Sequence, residues 1–306
     1  MLTRESAHAD LLAVPSLAHP LTGPLEVRGA EPGDVLEVEV LGYETDDFGW
    51  TGIWPGSGFL GDLFPDPFLA RWELEDGLAR SEDVPGVAVP AGVFAGVIGV
   101  APSPELFARA RAREADLAAR GGEVDLPTAE AAAPRSAAEG LRTFPPRENG
   151  GNMDVRDLVA GSRLLLPVHV PGALLSIGDL HFAQGDGEVC IAAIETGGAA
   201  TVRVGVRREG WRPAFPAWEA PPRPGRPYFA TTGIPLTDDG RNEHLDLNLA
   251  TRRALLEMLR WLEEEHRMAR EPAYVLMSAA VELRVSEVVD APNALVSAAM
   301  PLDVFR

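Results

Sequence analysis

Lysine is missing from all 306 residues, so the 27 basic side chains are arginines and no Ser-Ser-Lys amidase signature is present. Cysteine occurs once, at Cys190, which excludes an intramolecular disulfide framework and a thiolate-rich zinc knuckle and fits a reducing, cytoplasmic setting. No run approaches the ~20 apolar residues of a membrane span. Met1 to Pro20 lacks the basic start and long apolar centre of a secretory signal, so a soluble, unexported chain is expected. Positive charge is scarce: 46 acidic against 27 basic side chains give a formal net charge of -19. A nucleic-acid backbone requires a cationic stripe and an anionic lipid surface repels this balance, which excludes both as partners. A neutral or cationic small molecule suits such a charge better, although strong acidity is more often a plain solubility feature.

What is present is enough apolar residue, 46%, for a sizeable core, arranged as one domain over 1–306 or as two intimate β-rich lobes. Residues 1–21 read as an N-terminal extension. Glycine (31) and proline (27) interrupt most periodic runs, which predicts many short strands joined by turns and few helices. Asp34 to Val40 alternates strictly, with Leu36, Val38 and Val40 on one face; Ala200 to Arg207 does the same with Val202, Val204 and Val206 inward. Val93 to Val100 and Leu164 to Val170 are denser in apolar residues, as in strands covered on both faces. Ser103 caps one predicted helix; Leu255, Leu259, Leu262 and His266 recur at the spacing of another, and Ala273 to Leu283 leans helical. Glu123 to Arg147 and the proline-rich Pro213 to Pro227 read as extended surface crossings.

The densest set of potential ligands is Gly178 to Glu188 (GDLHFAQGDGE), with three carboxylates and one imidazole. If Ser176 to Phe182 is extended, Asp179 and His181 project from one sheet face, close enough to hold one cation together. Gly185-Asp186-Gly187 then makes a tight turn that returns Glu188 to the same edge. A mixed carboxylate and imidazole set suits zinc or another divalent first-row metal better than calcium, which favours an all-oxygen cage. Asn152 and Asp154, in NGGNMD, offer an amide and a carboxylate where paired glycines let backbone approach a ligand. Trp50 and Trp54 are candidates to wall a small pocket, with core packing as the commoner role of aromatics near glycines, and Gly185 is a further pocket candidate. His169 reads as a hydrogen-bonded core residue, His8, His19 and His266 as peripheral, His244 as a second-tier site candidate, and Cys190 as a buried structural thiol.

Several of these motifs, in order, are GPLEVRGAEPGDVLEVEV, GNMD, LPVHVPGALLSIGDLHFAQGDGEV and a later IE. From about Thr22 to the C-terminus they resemble the acetamidase/formamidase family. The resemblance implies an α+β fold, predominantly β, with sandwich- or barrel-like sheets and a few packed helices, usually in a homo-oligomer. It also implies hydrolysis of a short-chain amide such as formamide or acetamide to the carboxylate and ammonia. By position, Asn152 and Asp154 stand in GNMD, Asp179 and His181 in GD-x-H, and Asp186 and Glu188 in QGDGE. Asp179, His181 and one of Asp186 or Asp154 are then the expected metal ligands, Glu188 the proton carrier and Asn152 or the nearby glycine amides the donor to the oxyanion. Family members carry a further segment before the GPLEV-like motif, where this sequence has about twenty residues; if that segment supplies a ligand, a non-catalytic metal- or small-ligand-binding protein on the same fold is the alternative.

Overall fold

The computed structural model describes residues 2–13, 18–125, 127, 140–223, 226–268, 270, 273, 277, 280–302 and 305. The alternating run at Asp34 opens a long strand, β2 (Val35–Ile53), which follows β1 (Leu21–Leu25) and pairs on its two sides with β8 (Arg163–Pro167) and β10 (Ile194–Arg207). Alternation sorts the side chains between two cores. Leu36 and Val38 of β2 and Leu164 and Leu166 of β8 enter one apolar cluster; Val35 and Leu165 face the other way, into a second cluster.

That second cluster is closed by α2 (Leu247–Glu265), whose N-cap Asp246 accepts the Leu249 N–H at 3.0 Å. Ala250, Ala254, Met258 and Leu262 line one helical face and pack on β12 (Arg226–Gly233) and β14 (Leu295–Pro301). The approach is tight: Gly233 lies so near the helix that a Cβ there would meet the backbone of Ala250 and Ala254. The other long helix, α1 (Pro104–Ala119), starts at Ser103, whose hydroxyl accepts the Leu106 N–H as the sequence predicts.

Among the described residues the strands form one sheet of fourteen in which every pairing between named strands is antiparallel. Its main path runs from β13 (Glu282–Glu287) through β14, β12, β11 (Ala217–Arg223), β8, β2 and β10 to β9 (Leu175–Ala183), β6 (Phe94–Gly99) and β7 (Gly150–Asn152). β3 (Phe68–Glu75), β4 (Leu78–Arg80) and β5 (Val89–Pro90) branch from β2. This is the predominantly β architecture with few helices that the motifs imply.

Four expectations are corrected. The proline-rich stretch is no surface crossing: β11 and β12 lie inside the sheet, with Ala217 and Trp218 fully buried, because Pro213 and Pro216 precede the residues that pair and Pro221 and Pro222 fall where the ladder shifts register, between Ala220 and Arg223. Residues 140–147 also turn inward, with Leu141, Arg142 and Arg147 buried; Leu126 and residues 128–139 lie outside the described residues. The N-terminal stretch is packed rather than appended: Leu11 is fully buried against Gly52 and its carbonyl accepts the Trp54 indole N–H at 3.0 Å. Val204 is 40% exposed and belongs to neither core, whereas Val202 and Val206 on the same face are partly buried against the first cluster. Within the segment read as helix from Ala273, the described residues Ala273, Met277 and Ala280 are helical and β13 begins at Glu282.

Candidate functional site

β9 carries the site because its two neighbours bring acids and a gap to it. Its His181 lies across the ladder from Phe94 of β6 and from Glu195 of β10. A bulge between Ile194 and Glu195 re-aims Glu195 toward β9. Gly96 sits opposite Asp179, and a Cβ on it would run into Asp154 Oδ1, lie 2.7 Å from Asp179 Oδ2 and touch the His181 ring at 3.0 Å. The missing side chain is therefore the space in which two carboxylates and an imidazole meet.

Three acids of this cluster hold left-handed backbone: Asp154 at φ 48°, Asp179 at φ 59° and Glu188 at φ 44°. Each such residue costs on the order of 1–3 kcal/mol, so surrounding structure must impose it. For Asp154 the imposing bonds are Met153 N–H and Asp154 N–H, both given to the Gly96 carbonyl, at 3.0 and 3.3 Å. For Glu188 it is the turn predicted from the glycines, closed by its N–H on the Gly185 carbonyl at 3.3 Å, which returns the carboxyl to the cluster.

His181 is the hub and is 1% exposed. Its Nε2 lies 3.2 Å from Glu195 Oε2, 3.3 Å from Asp179 Oδ2 and 4.0 Å from Glu188 Oε1, none aligned as a hydrogen bond. The other ring nitrogen, Nδ1, is 2.9 Å from Gln184 Oε1. Gln184 is itself fixed, because its Nε2 donates to the carbonyls of Asp154 and Ser286 at 3.0 and 3.3 Å and its oxygen must then face the ring. The proton on this side of the imidazole is thus on Nδ1, and in the neutral ring Nε2 presents its lone pair to Asp179, Glu195 and Glu188. Asp154 Oδ1 approaches from the Nδ1 side at 3.8 Å, and neither of its carboxylate oxygens has a hydrogen-bond partner among the described residues.

Six acids share this buried region, since Asp290 and Glu287 stand behind the first four. Asn152, buried, donates its amide to Asp290 Oδ2 at 2.7 Å; Glu287 Oε2 accepts the N–H groups of Val289 and Asp290, both at 2.9 Å. Burial pushes Asp154, Glu188, Glu195 and Asp290 above the usual carboxylate range, reinforced at Asp154 by Asp290 and at Glu188 by Asp154. Glu287 is pushed up to about 8 by burial. Asp179 goes the other way: burial opposes its ionisation, but the imidazoles of His19 and His181 outweigh it. Burial also opposes charge on His181, yet Glu195 and Asp179 raise it well above the ordinary imidazole value.

The sequence-predicted residues divide on geometry. Asp154, Asp179, His181 and Glu188 converge. Asp186 does not: its side chain is 51% exposed and pairs with Arg156 at 3.9 Å, because it sits at the tip of the turn that sends Glu188 inward. Asn152 is turned to Asp290 rather than toward His181. Trp50 and Trp54 pack edge to face, centroids 6.0 Å apart, and the cavity beside the cluster is walled instead by Trp72, with Gly185 among its lining residues. His19 is not peripheral: its Nε2 is 3.9 Å from Asp179 Oδ2, and Thr143 Oγ1 takes the His19 backbone N–H at 3.0 Å and contacts Nδ1 at 3.1 Å. His244 stays outside, 3.7 Å from Glu123, and His169 is half-buried with Nε2 unpartnered among the described residues. Cys190 is partly buried on the cavity wall, and burial pushes its thiol up.

Glu195, Gln184, His19, Glu287 and Asp290 carry no site role in the sequence reading. For Glu195 and Gln184 the signal lies in the IE and QGDGE motifs; the others depend on long-range contacts that spacing does not encode.

The sequence pattern of the Acetamidase/Formamidase family matches residues 3–306. A formamidase of Methylophilus methylotrophus is 35% identical over 94% of this chain and 77% of its own length. The solved structure of an acetamidase from Bacillus halodurans superposes with a TM-score of 0.75 at 28% identity, covering 100% of this chain and 85% of that one. A gamma lactamase from Delftia acidovorans does so with a TM-score of 0.67 at 33% identity, covering 99% and 81%.

Proposed function

The chain belongs to the acetamidase/formamidase family, and we propose that it hydrolyses a linear amide to a carboxylate and ammonia at the His181 cluster with the help of a divalent cation. The observation that carries this reading is the convergence of Glu195 and Asp179 oxygens on His181 Nε2, at 3.2 and 3.3 Å, beside a buried Glu188 that opens onto a cavity.

The donor set fits a cation. Donors each about 2.0–2.1 Å from a tetrahedral zinc stand about 3.3 Å apart, which is the spacing found around Nε2. Asp179, His181 and Glu195 would hold it, with Asp154 and Glu188 adjoining; one imidazole among carboxylates favours zinc or a similar first-row ion. Such an ion lowers the pKa of water at the site and polarises a carbonyl. The raised affinity of His181 for a proton has the same origin, a positive charge demanded at Nε2 by Glu195 and Asp179.

The remaining steps belong to the chain. Gln184 holds the His181 ring in the tautomer that leaves Nε2 free. Glu188 lines the cavity and takes a proton from water as its oxygen bonds to the amide carbon. It returns that proton to the nitrogen as the C–N bond breaks, releasing ammonia. Burial raises the proton affinity of the Glu188 carboxyl, which suits it to both halves of the transfer.

Ammonia release from acetamide by wild type and by Glu188→Gln tests this. A fall of roughly a hundredfold or more in a variant with unchanged circular dichroism is expected; equal turnover removes Glu188 from the mechanism. The solved gamma lactamase relative makes a cyclic amide the second substrate class to assay.

A further inference from the structure

A cleft of about 740 Å³, open to solvent on one side, lies beside the cluster, and its apolar wall bears on what is cleaved there. Glu188 and Gln184 are its polar lining residues, and both lie against His181. The walls are apolar, built from Trp72, Val89, Val159 and Ile194 among others, and the Arg156–Asp186 pair stands on the lining as its charged element. A water-sized group takes roughly 30 Å³, so acetamide fills on the order of 100 Å³. A site matched to acetamide would close its wall on one methyl group. Here the lined space is several times that volume, and Gly92 is among its lining residues, at a position where a Cβ would meet nothing within 4 Å.

We infer that this cavity is an acyl pocket and that the preferred substrates are primary amides with an apolar acyl group about the size of a benzene ring, rather than formamide or acetamide. The inference rests on the amide-hydrolase reading and names its substrate class. The amide sits at the Glu188 end, and the ring lies between Trp72 and the aliphatic wall. Each methylene taken out of water by such a wall is worth about tenfold or more in kcat/KM. An acyl group that leaves the wall wet gains none of this.

The test uses the full chain with benzamide and acetamide as probes and two readouts. Benzamide is expected to exceed acetamide by at least tenfold in kcat/KM for ammonia release. Gly92→Leu, which adds a side chain to the cleft lining where there is room for it and no left-handed backbone to strain, is expected to lower that ratio by at least tenfold. Independently, Cys190 is the single cysteine of the chain and lines the cavity. Benzamide is expected to slow its alkylation by a maleimide, and acetamide at the same concentration is not. A benzamide-to-acetamide ratio at or below one, a ratio that Gly92→Leu leaves unmoved, or a lactam preferred over benzamide overturns the proposal. If no amide is turned over, the hydrolase reading fails, while protection of Cys190 by benzamide still supports the pocket and its absence overturns it.

Discussion

At the scale of single residues, the site depends on what Gly96 omits. Gly96→Ala places a Cβ 2.7 Å from Asp179 Oδ2 and closer still to Asp154, so the carboxylates must move. The expected cost is about 1–3 kcal/mol of stability, read as a lowered Tm, together with loss of bound metal by elemental analysis; a stable variant with full metal content contradicts the crowding. The acids also set a pH dependence. Glu287 titrates near 8 in the fold against 4.5 when free, so between these values the native state holds more protons than the unfolded chain. Stability of metal-stripped protein is therefore expected to fall as pH rises from about 4.5 to 8. Asp154, Glu188, Glu195 and Asp290, also raised, act in the same direction, and so does His181, whose contribution is lost as pH rises through its folded value. Asp179, lowered, opposes them at the acid end. Urea titrations at pH 5 and 8 read this, and a cation that binds the ionised acids is expected to flatten the slope. Stability that rises with pH refutes the assignment. Asp179 and His181 were legible from the sequence because two residues apart on a strand means one face. Asp186 misled because the turn glycines permit either acid to point inward, and only the Glu188 backbone at φ 44° decides between them.

At the scale of elements, periodicity was informative wherever one face is buried. Leu36, Val38, Leu164 and Leu166 declare their strands, and α2 shows its apolar stripe from Ala250 to Leu262. β11 and β12 were hidden because their prolines mimic a linker, and their pairing with β8 and β14 is a long-range fact. The seat of α2 is a second close approach. Gly233→Ala would press a methyl group into the backbone at Ala250 and Ala254. About 1–3 kcal/mol is the expected loss on chemical denaturation, with amide hydrolysis retained below the transition because α2 packs on a cluster that contains none of the residues of the His181 site. A variant as stable as the parent shows that the helix is not seated there.

At the scale of the whole molecule, a formal charge of -19 spread over 306 residues is self-repelling. The Debye length falls from about 30 Å at 0.01 M salt to about 10 Å at 0.1 M. Tm is therefore expected to rise by roughly 2 °C or more over that range; a fall points to attraction as the dominant surface term. Among the described residues no helix is long and apolar enough to cross a membrane, and the charge favours a cation drawn toward the acidic cluster. That attraction brings the molecule back to its chemistry. The decisive measurement is ammonia release from benzamide and acetamide by protein stripped of metal and restored separately with zinc, manganese or calcium. Turnover that vanishes on stripping and returns with one divalent cation, but not in His181→Ala, is the expected result; turnover undiminished in the stripped protein contradicts a cation-assisted amidase at the His181 cluster.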